Sequence, residues 1–286
     1  MANKRNNVLL GIMIATIIAL CLGSCASAPD MTGVTTWYVK ETGRNSNNGI
    51  SEETAFKTLE KAIKQASKTS IKTIIVIGTI TSKTIVDTYT FDDEILITGK
   101  PDATEAEQAV VRSSIGLSGI LNGKFKPSAI KLEHITLNGN GTQFKYALLQ
   151  VTEGAKITLG TGAKVINNNA SYGGGVWAGN GATFVMESDA EISGNKANYG
   201  GGVYIYNATF IMKDDAVIKD NSADRSGGGV CAVDGSKVEM SGNAAIQNNR
   251  ASAEGGGIDI SNSTFTQNTG TVSDNISGKG SDINKE

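Results

Sequence analysis

The stretch NNNASYGGGV, Asn167 to Val176, returns as GNKANYGGGV from Gly194, DNSADRSGGGV from Asp220 and NNRASAEGGGI from Asn248. Glycine triplets weaken the interior of a strand or helix. Their recurrence therefore marks places where the backbone needs them. The triplets start at 173, 200, 227 and 255, spaced 27, 27 and 28 residues apart. A second marker, Ile/Val-x-x-Asn, reads Ile166/Asn169, Ile192/Asn195, Ile218/Asn221, Ile246/Asn249 and Val272/Asn275. Its asparagines stand 26, 26, 28 and 26 apart. A third marker is Phe184, Phe210, Val238 and Phe265, spaced 26, 28 and 27. Three markers that keep one period of this length signal a solenoid.

One period holds three short alternating segments, GGVWA, ATFVM and AEISGN, each bounded by Gly, Asn or Asp. That pattern predicts three strands per coil. The fold class is therefore all-β, a right-handed parallel β-helix, with coils about 4.8 Å apart. The markers acquire roles. Val176, Val203, Val230 and Ile258 stack inside the tube, as do the Phe184 series and Ile166, Ile192, Ile218 and Ile246. Asn169, Asn195, Asn221, Asn249 and Asn275 form a structural ladder at a sharp bend, where asparagine tolerates the left-handed conformation and its amides can hydrogen-bond along a stack.

The period runs through 129–286. Residues 36–128 form an N-terminal cap with the first irregular coils, and 101–128 reads as insertions. In TAFKTLEKAIKQA, Phe56, Leu59, Ile63 and Ala66 share one helical face. A helix at about 55–68 would cover the exposed strand edges of the first coil. Ser51, Thr54 or Thr58 would cap it. The last rung, VSDNISGKGSDI, keeps Asn275 but reduces the triplet to Gly280-Ser-Asp. It is a minimal cap or a docking point.

Residues 1–24 read as a targeting segment, with Lys4 and Arg5 before the apolar run VLLGIMIATIIALCL. Leu22-Gly23-Ser24-Cys25 resembles a bacterial lipobox. The resemblance implies cleavage before Cys25, lipidation of its thiol and a membrane anchor, with 25–35 as the lipidated tether. An ordinary signal peptide or an uncleaved anchor helix are the alternatives. With Ala26 and Ser27 following, sorting to the outer membrane stays open. Of 3 cysteines, only Cys231 lies in the domain, so no intramolecular disulfide is expected in the mature chain. The formal net charge is −2, and no basic stripe suggests a nucleic-acid partner.

Two family resemblances follow. Residues 36–80, from TWYVKETGRNSNNGISEETAF to IIVIGTI, resemble the opening of pectate-lyase-like β-helix proteins. The repeats over 166–260, I-x-x-N-x-A followed by GGG(V/I), resemble those of the polymorphic outer-membrane proteins, whose signatures are F-x-x-N and GGA(I/L/V). This chain carries Ile or Val for the Phe and Gly for the Ala. The resemblance implies a surface-exposed, adhesin-like domain, here anchored by lipid rather than by a C-terminal barrel.

Catalysis is the competing class, because β-helices of this kind also act on acidic polysaccharides. His134 lacks the flanking glycines of the hydrolase pattern. Asp92-Asp93 and Asp214-Asp215 are adjacent on the chain and point to opposite faces, so neither is a ready two-carboxylate site. Arg225 and Arg250 precede glycine triplets, with Asp224 and Glu254 nearby, and read as solvated loop ion pairs. We expect no catalytic residues, metal or cofactor. If Val176, Val203, Val230 and Ile258 point inward, Trp177, Tyr204, Cys231 and Asp259 point outward. Tyr206 lies beside Tyr204, and Tyr172 and Tyr199 occupy matching loop positions. These five aromatics, Tyr172, Trp177, Tyr199, Tyr204 and Tyr206, form a candidate binding face for a host protein or glycan, or a stack that only stabilises the sheet. Cys231 in that row would be an exposed thiol. A purely structural role in the envelope is the third class.

Overall fold

A computed structural model describes residues 31–81, 93–104, 108–112, 115–118, 120–121, 124–125, 128–140, 146–280 and 282–285. Cys25 and Asp92 lie outside the described residues. From Thr35 onward the chain forms one compact unit.

That unit is a parallel solenoid. The coil after the first glycine triplet shows the plan. Val176–Gly179 lies in the first sheet, Thr183–Met186 in the second and Glu191–Ser193 in the third, followed by the two-residue strand Lys196–Ala197. Each pairs in parallel with its equivalent one coil away: Val176 with Val203, Phe184 with Phe210, Ile192 with Ile218, Ala197 with Ala223. Among the described residues the three principal sheets have seven, nine and eight strands. The fourth, short one has four and was not foreseen. The difficult stretch 101–128 holds strands of the third and first sheets, Ala109–Arg112 and Ile115–Ser118, and a small antiparallel pair, Ile120–Leu121 with Lys124–Phe125.

The interior is stacked side chains. Phe184 and Phe210 lie face to face, ring centroids 5.2 Å apart, both fully buried. Met186, Met212 and Met240 stack beside them on the same strands. Each buried aromatic of this kind contributes roughly 1.5–3 kcal/mol.

The ladder is real but begins one residue earlier than the sequence pattern placed it. Val165, not Ile166, pairs with Ile192, and Asn168, not Asn169, stands opposite Asn195. Asn169 instead bridges to Lys196. Three consecutive asparagines, Asn167 to Asn169, make the register ambiguous on paper, and burial of Val165 decides it. The left-handed residue is also not the ladder asparagine but the one before it: Asn167, Gly194, Asp220, Asn248 and Asp274 all have φ between 56° and 64°. The kink turns each following asparagine inward. Asn221 then accepts from the backbone N–H of Asn195 at 2.9 Å and donates to Ile192 O and to Asn249 Oδ1, each at 3.0 Å. At the far end Asp282 takes the place of a further asparagine, accepting from Asn275 N at 2.9 Å. Its carbonyl also receives Gly257 N and Ile258 N, so the reduced triplet closes the first sheet with the strand Ile283–Lys285.

The glycines of a triplet have three separate reasons. Gly200 has φ 62°. A Cβ on Gly201 would stand 2.4 Å from Gly228 O of the next coil. A Cβ on Gly202 would crowd the Asn221 amide at 3.1 Å. The first residue supplies the bend, the second the coil-to-coil approach, and the third both a close approach, with Gly229 O 2.8 Å from a Cβ on Gly202, and the room for the ladder.

The N-terminal helix is Leu59–Ala66, shorter than expected, capped by Thr58, whose hydroxyl accepts from Lys61 N at 3.3 Å. Phe56 is not on it. Its backbone pairs with Tyr38 and Lys40, and its buried ring lies 5.8 Å from Trp37. Leu59, Ala62, Ile63 and Ala66 are buried, and the helix packs on the strands Thr36–Lys40 and Thr73–Ile77.

Replacing Asn221 by Ala leaves the buried Asn195 N–H without its acceptor and takes one side-chain donor each from Ile192 C=O and Asn249 Oδ1. We expect a loss of about 2–4 kcal/mol in denaturant unfolding, roughly 1–3 kcal/mol for the orphaned N–H and the rest from the lost hydrogen bonds. The exposed Lys237→Ala change should cost under about 1 kcal/mol. Equal costs would show that the ladder is decorative.

Candidate functional site

The first sheet places its outward residues in one row along the solenoid: Gln150, Trp177, Tyr204, Cys231, Asp259 and Asn284. Alternation against the buried Val176, Val203, Val230 and Ile258 dictates this, as the sequence implied. The loop before each triplet runs beside the row. Tyr172 and Tyr199 form a parallel bridge there.

Four of the five aromatics come together. Tyr172 and Tyr199 stack with centroids 5.7 Å apart and planes at 8°. Tyr204 meets Tyr172 edge-on, at 5.1 Å and 64°. Trp177 and Tyr172 wall a cleft of about 380 Å³, completed by Tyr146, Ala147, Gln150 and Ser171. The Trp177 indole lies across Gly179, where a Cβ would come 2.5 Å from Cη2. That position is glycine because the ring needs the space. Tyr206 is exposed in the next outward row, opposite Gly179, and does not line the cleft. Burial pushes the Tyr204 phenol up to about 12, with smaller contributions from Cys231 and Tyr172.

Two members escaped the sequence reading. Tyr146 is 52% exposed and belongs to the preceding coil, where Leu149 pairs with Val176. That coil reads Tyr-Ala-Leu-Leu and has no triplet to mark the register. Alignment on Leu149 and Val151 would have found it. Arg225, read as a loop ion pair, has no carboxylate partner among the described residues. Its guanidinium lies 5.6 Å from the Tyr199 ring centroid, and Nη1 donates to the Tyr199 hydroxyl at 3.1 Å. Asp224 pairs instead with Lys196 at 2.9 Å, and Glu254 with Lys279. Arg250 sits elsewhere in its coil, opposite Ser222.

Cys231 corrects an expectation. It is 1% exposed rather than an open thiol, because the large neighbours Tyr204 and Asp259 close over it in the row. Its sulfur lies 3.9 Å from Asp259 Oδ2, and Asp259 accepts from Asn284 at 2.8 Å. Burial first, and the Asp259 carboxylate second, push the thiol well above its ordinary range.

The other flagged groups are engaged in turns. Asp214 has φ 58° and accepts from Ser188 N, while Asp215 accepts from Asn243. His134, at φ 48°, borders a separate cavity of about 240 Å³ with Lys100 and Lys164. Among the described residues no group of three or more His, Cys, Asp or Glu is placed to hold a metal ion, and no helix is long and apolar enough to cross a membrane.

The fold defines a class of protein, the parallel β-helix, and comparison agrees. A family profile described as a right handed beta helix region matches residues 130–286. The chain belongs to that family. Neither the curated proteins nor the solved structures give a match.

The buried thiol makes a direct expectation. At pH 8, Cys231 should resist a disulfide reagent such as DTNB in the folded protein and react at once in denaturant. Rapid reaction of Cys231 in the folded domain, prepared without Cys21 and Cys25, would contradict the packing around it.

Proposed function

We propose that this chain is a lipid-anchored, surface-exposed β-helix that acts by binding, as an adhesin or envelope interaction protein, and that its ligand is a glycan. The observation that carries this reading is the cleft between Tyr172 and Trp177. Two aromatic walls offer flat apolar faces to the C–H surface of a sugar ring, and Gln150 and Ser171 offer hydrogen-bond groups at the rim. Tyr172 and Tyr146 keep about half their surface exposed. A ring pair serving only to stabilise the sheet would gain by burying more of that area.

Binding is favoured over turnover by the engagement of the flagged carboxylates. Asp214 and Asp215 hold corners of successive coils, and Asp259 is buried within the row, bonded to Asn284. The surface location rests on the lipobox-like Leu22–Cys25 and on the resemblance of the repeats to the polymorphic outer-membrane proteins. Cys25 would supply the anchor.

Glycan-array binding of the soluble domain, followed by titration of the best ligand, tests the site. Tyr172→Ala with Trp177→Ala should weaken binding at least about tenfold, the cost of one lost aromatic contact of 1.4 kcal/mol or more, with the unfolding midpoint little changed. Unchanged affinity would sink the reading. For the anchor, Cys25→Ser should abolish palmitate labelling, and the native protein should be removed by protease treatment of intact cells. Survival under protease would place it facing the periplasm.

A further inference from the structure

Arg225 stands where the tyrosine column stops. Tyr172 and Tyr199 immediately precede their triplets, and their backbones bridge. One coil on, the corresponding residue is Ser226, whose carbonyl receives Gly200 N. The guanidinium of Arg225 fills the place a third tyrosine ring would take, over Tyr199. Ser226 leaves that space open, and Tyr199 holds the guanidinium by its ring face and its hydroxyl.

The charge so held makes no ion pair among the described residues. Asp224, beside it in the chain, is taken by Lys196, and Glu254, in the matching loop one coil on, by Lys279 and Asn284. Of the five N–H donors of a guanidinium, one has a partner among the described residues, the Tyr199 hydroxyl. A guanidinium held flat, with its remaining donors free, is suited to bidentate contact with a carboxylate or sulfate.

We propose that Arg225 is the specificity-determining residue of this face, and that it selects glycans bearing a carboxylate or sulfate about two coils from the sugar ring seated at Tyr172. The proposal rests on the binding reading above. Two coils span about 10 Å at the usual strand spacing, so the ligand extends along the solenoid axis. It carries its ring in the cleft and its anion beyond Tyr199. The aromatic stack supplies the sequence-tolerant contact, and the arginine supplies the charge requirement.

The test titrates the soluble domain with hyaluronan, which carries carboxylates, with chondroitin sulfate, which carries both anions, and with carboxyl-reduced hyaluronan, which carries neither. The wild type should prefer an anionic chain over the reduced one by about tenfold or more, and the preference should shrink as salt rises. Arg225→Met, which keeps apolar contact with the Tyr199 ring, should collapse that preference to near unity. Arg225→Lys should restore part of it. Preference for hyaluronan identifies the carboxylate as the group read, and preference for chondroitin sulfate alone identifies the sulfate. If Arg225→Met retains the wild-type preference while Tyr172→Ala lowers affinity, the arginine proposal falls and the aromatic site stands. If neither variant changes binding, both fall. Failure of the wild type to bind either anionic chain, or binding to a protein ligand only, also overturns the proposal. Circular dichroism and the unfolding midpoint confirm that each variant is folded.

Discussion

The described coils answer to one constraint: each must lie a strand spacing from the next around its circumference, corners included. Along the strands the backbone meets that condition through its own parallel hydrogen bonds. At the corners the backbone bonds from coil to coil only where side chains, or their absence, supply the fit. A Cβ on the middle glycine of a triplet would fall 2.2–2.4 Å from a carbonyl oxygen of the next coil at Gly174, Gly201 and Gly228. The glycine runs are therefore a steric requirement of close stacking, and their entropic cost is offset by the hydrogen bonds that the close approach permits. The asparagine ladder solves the opposite problem. It fills an inner corner where backbone N–H groups would otherwise be buried without acceptors.

The same constraint builds the candidate site. Residues one period apart become neighbours, so a ring at position 172 meets a ring at 199 through geometry alone. Position along a coil then sets environment. Trp177 and Tyr204 hold equivalent places, yet Trp177 walls a cleft while Tyr204 is covered enough for its phenol to be pushed up to about 12. Cys231 and Asp259, further along the same row, are closed over altogether. A regular scaffold thus carries a graded surface, open and aromatic towards Tyr146, sealed and polar towards Asn284.

Much of this was legible in the chain. The period, the parallel β-helix, the inward stacks and the outward aromatic row follow from marker spacing and alternation. What failed did so for physical reasons. Asn167, Asn168 and Asn169 are interchangeable as letters, and only the burial of Val165 selects Asn168. Phe56 fits a helical face by spacing, yet it serves as a strand-like bridge because Thr58 starts the helix after it. Tyr146 was hidden because its coil lacks the triplet. Arg225 was assigned to nearby acids, which are held by lysines.

The sequence by itself determined the repeat, the sheet periodicity and which face each residue takes, because those depend on local backbone geometry and on the interval between equivalent residues. Only the tertiary structure decided which of two adjacent residues turns at a corner, which outward side chains stay open, and which charges are neutralised. Those outcomes depend on contacts between coils, where a shift of one residue or the reach of one lysine reverses the result, and neither is written in the spacing.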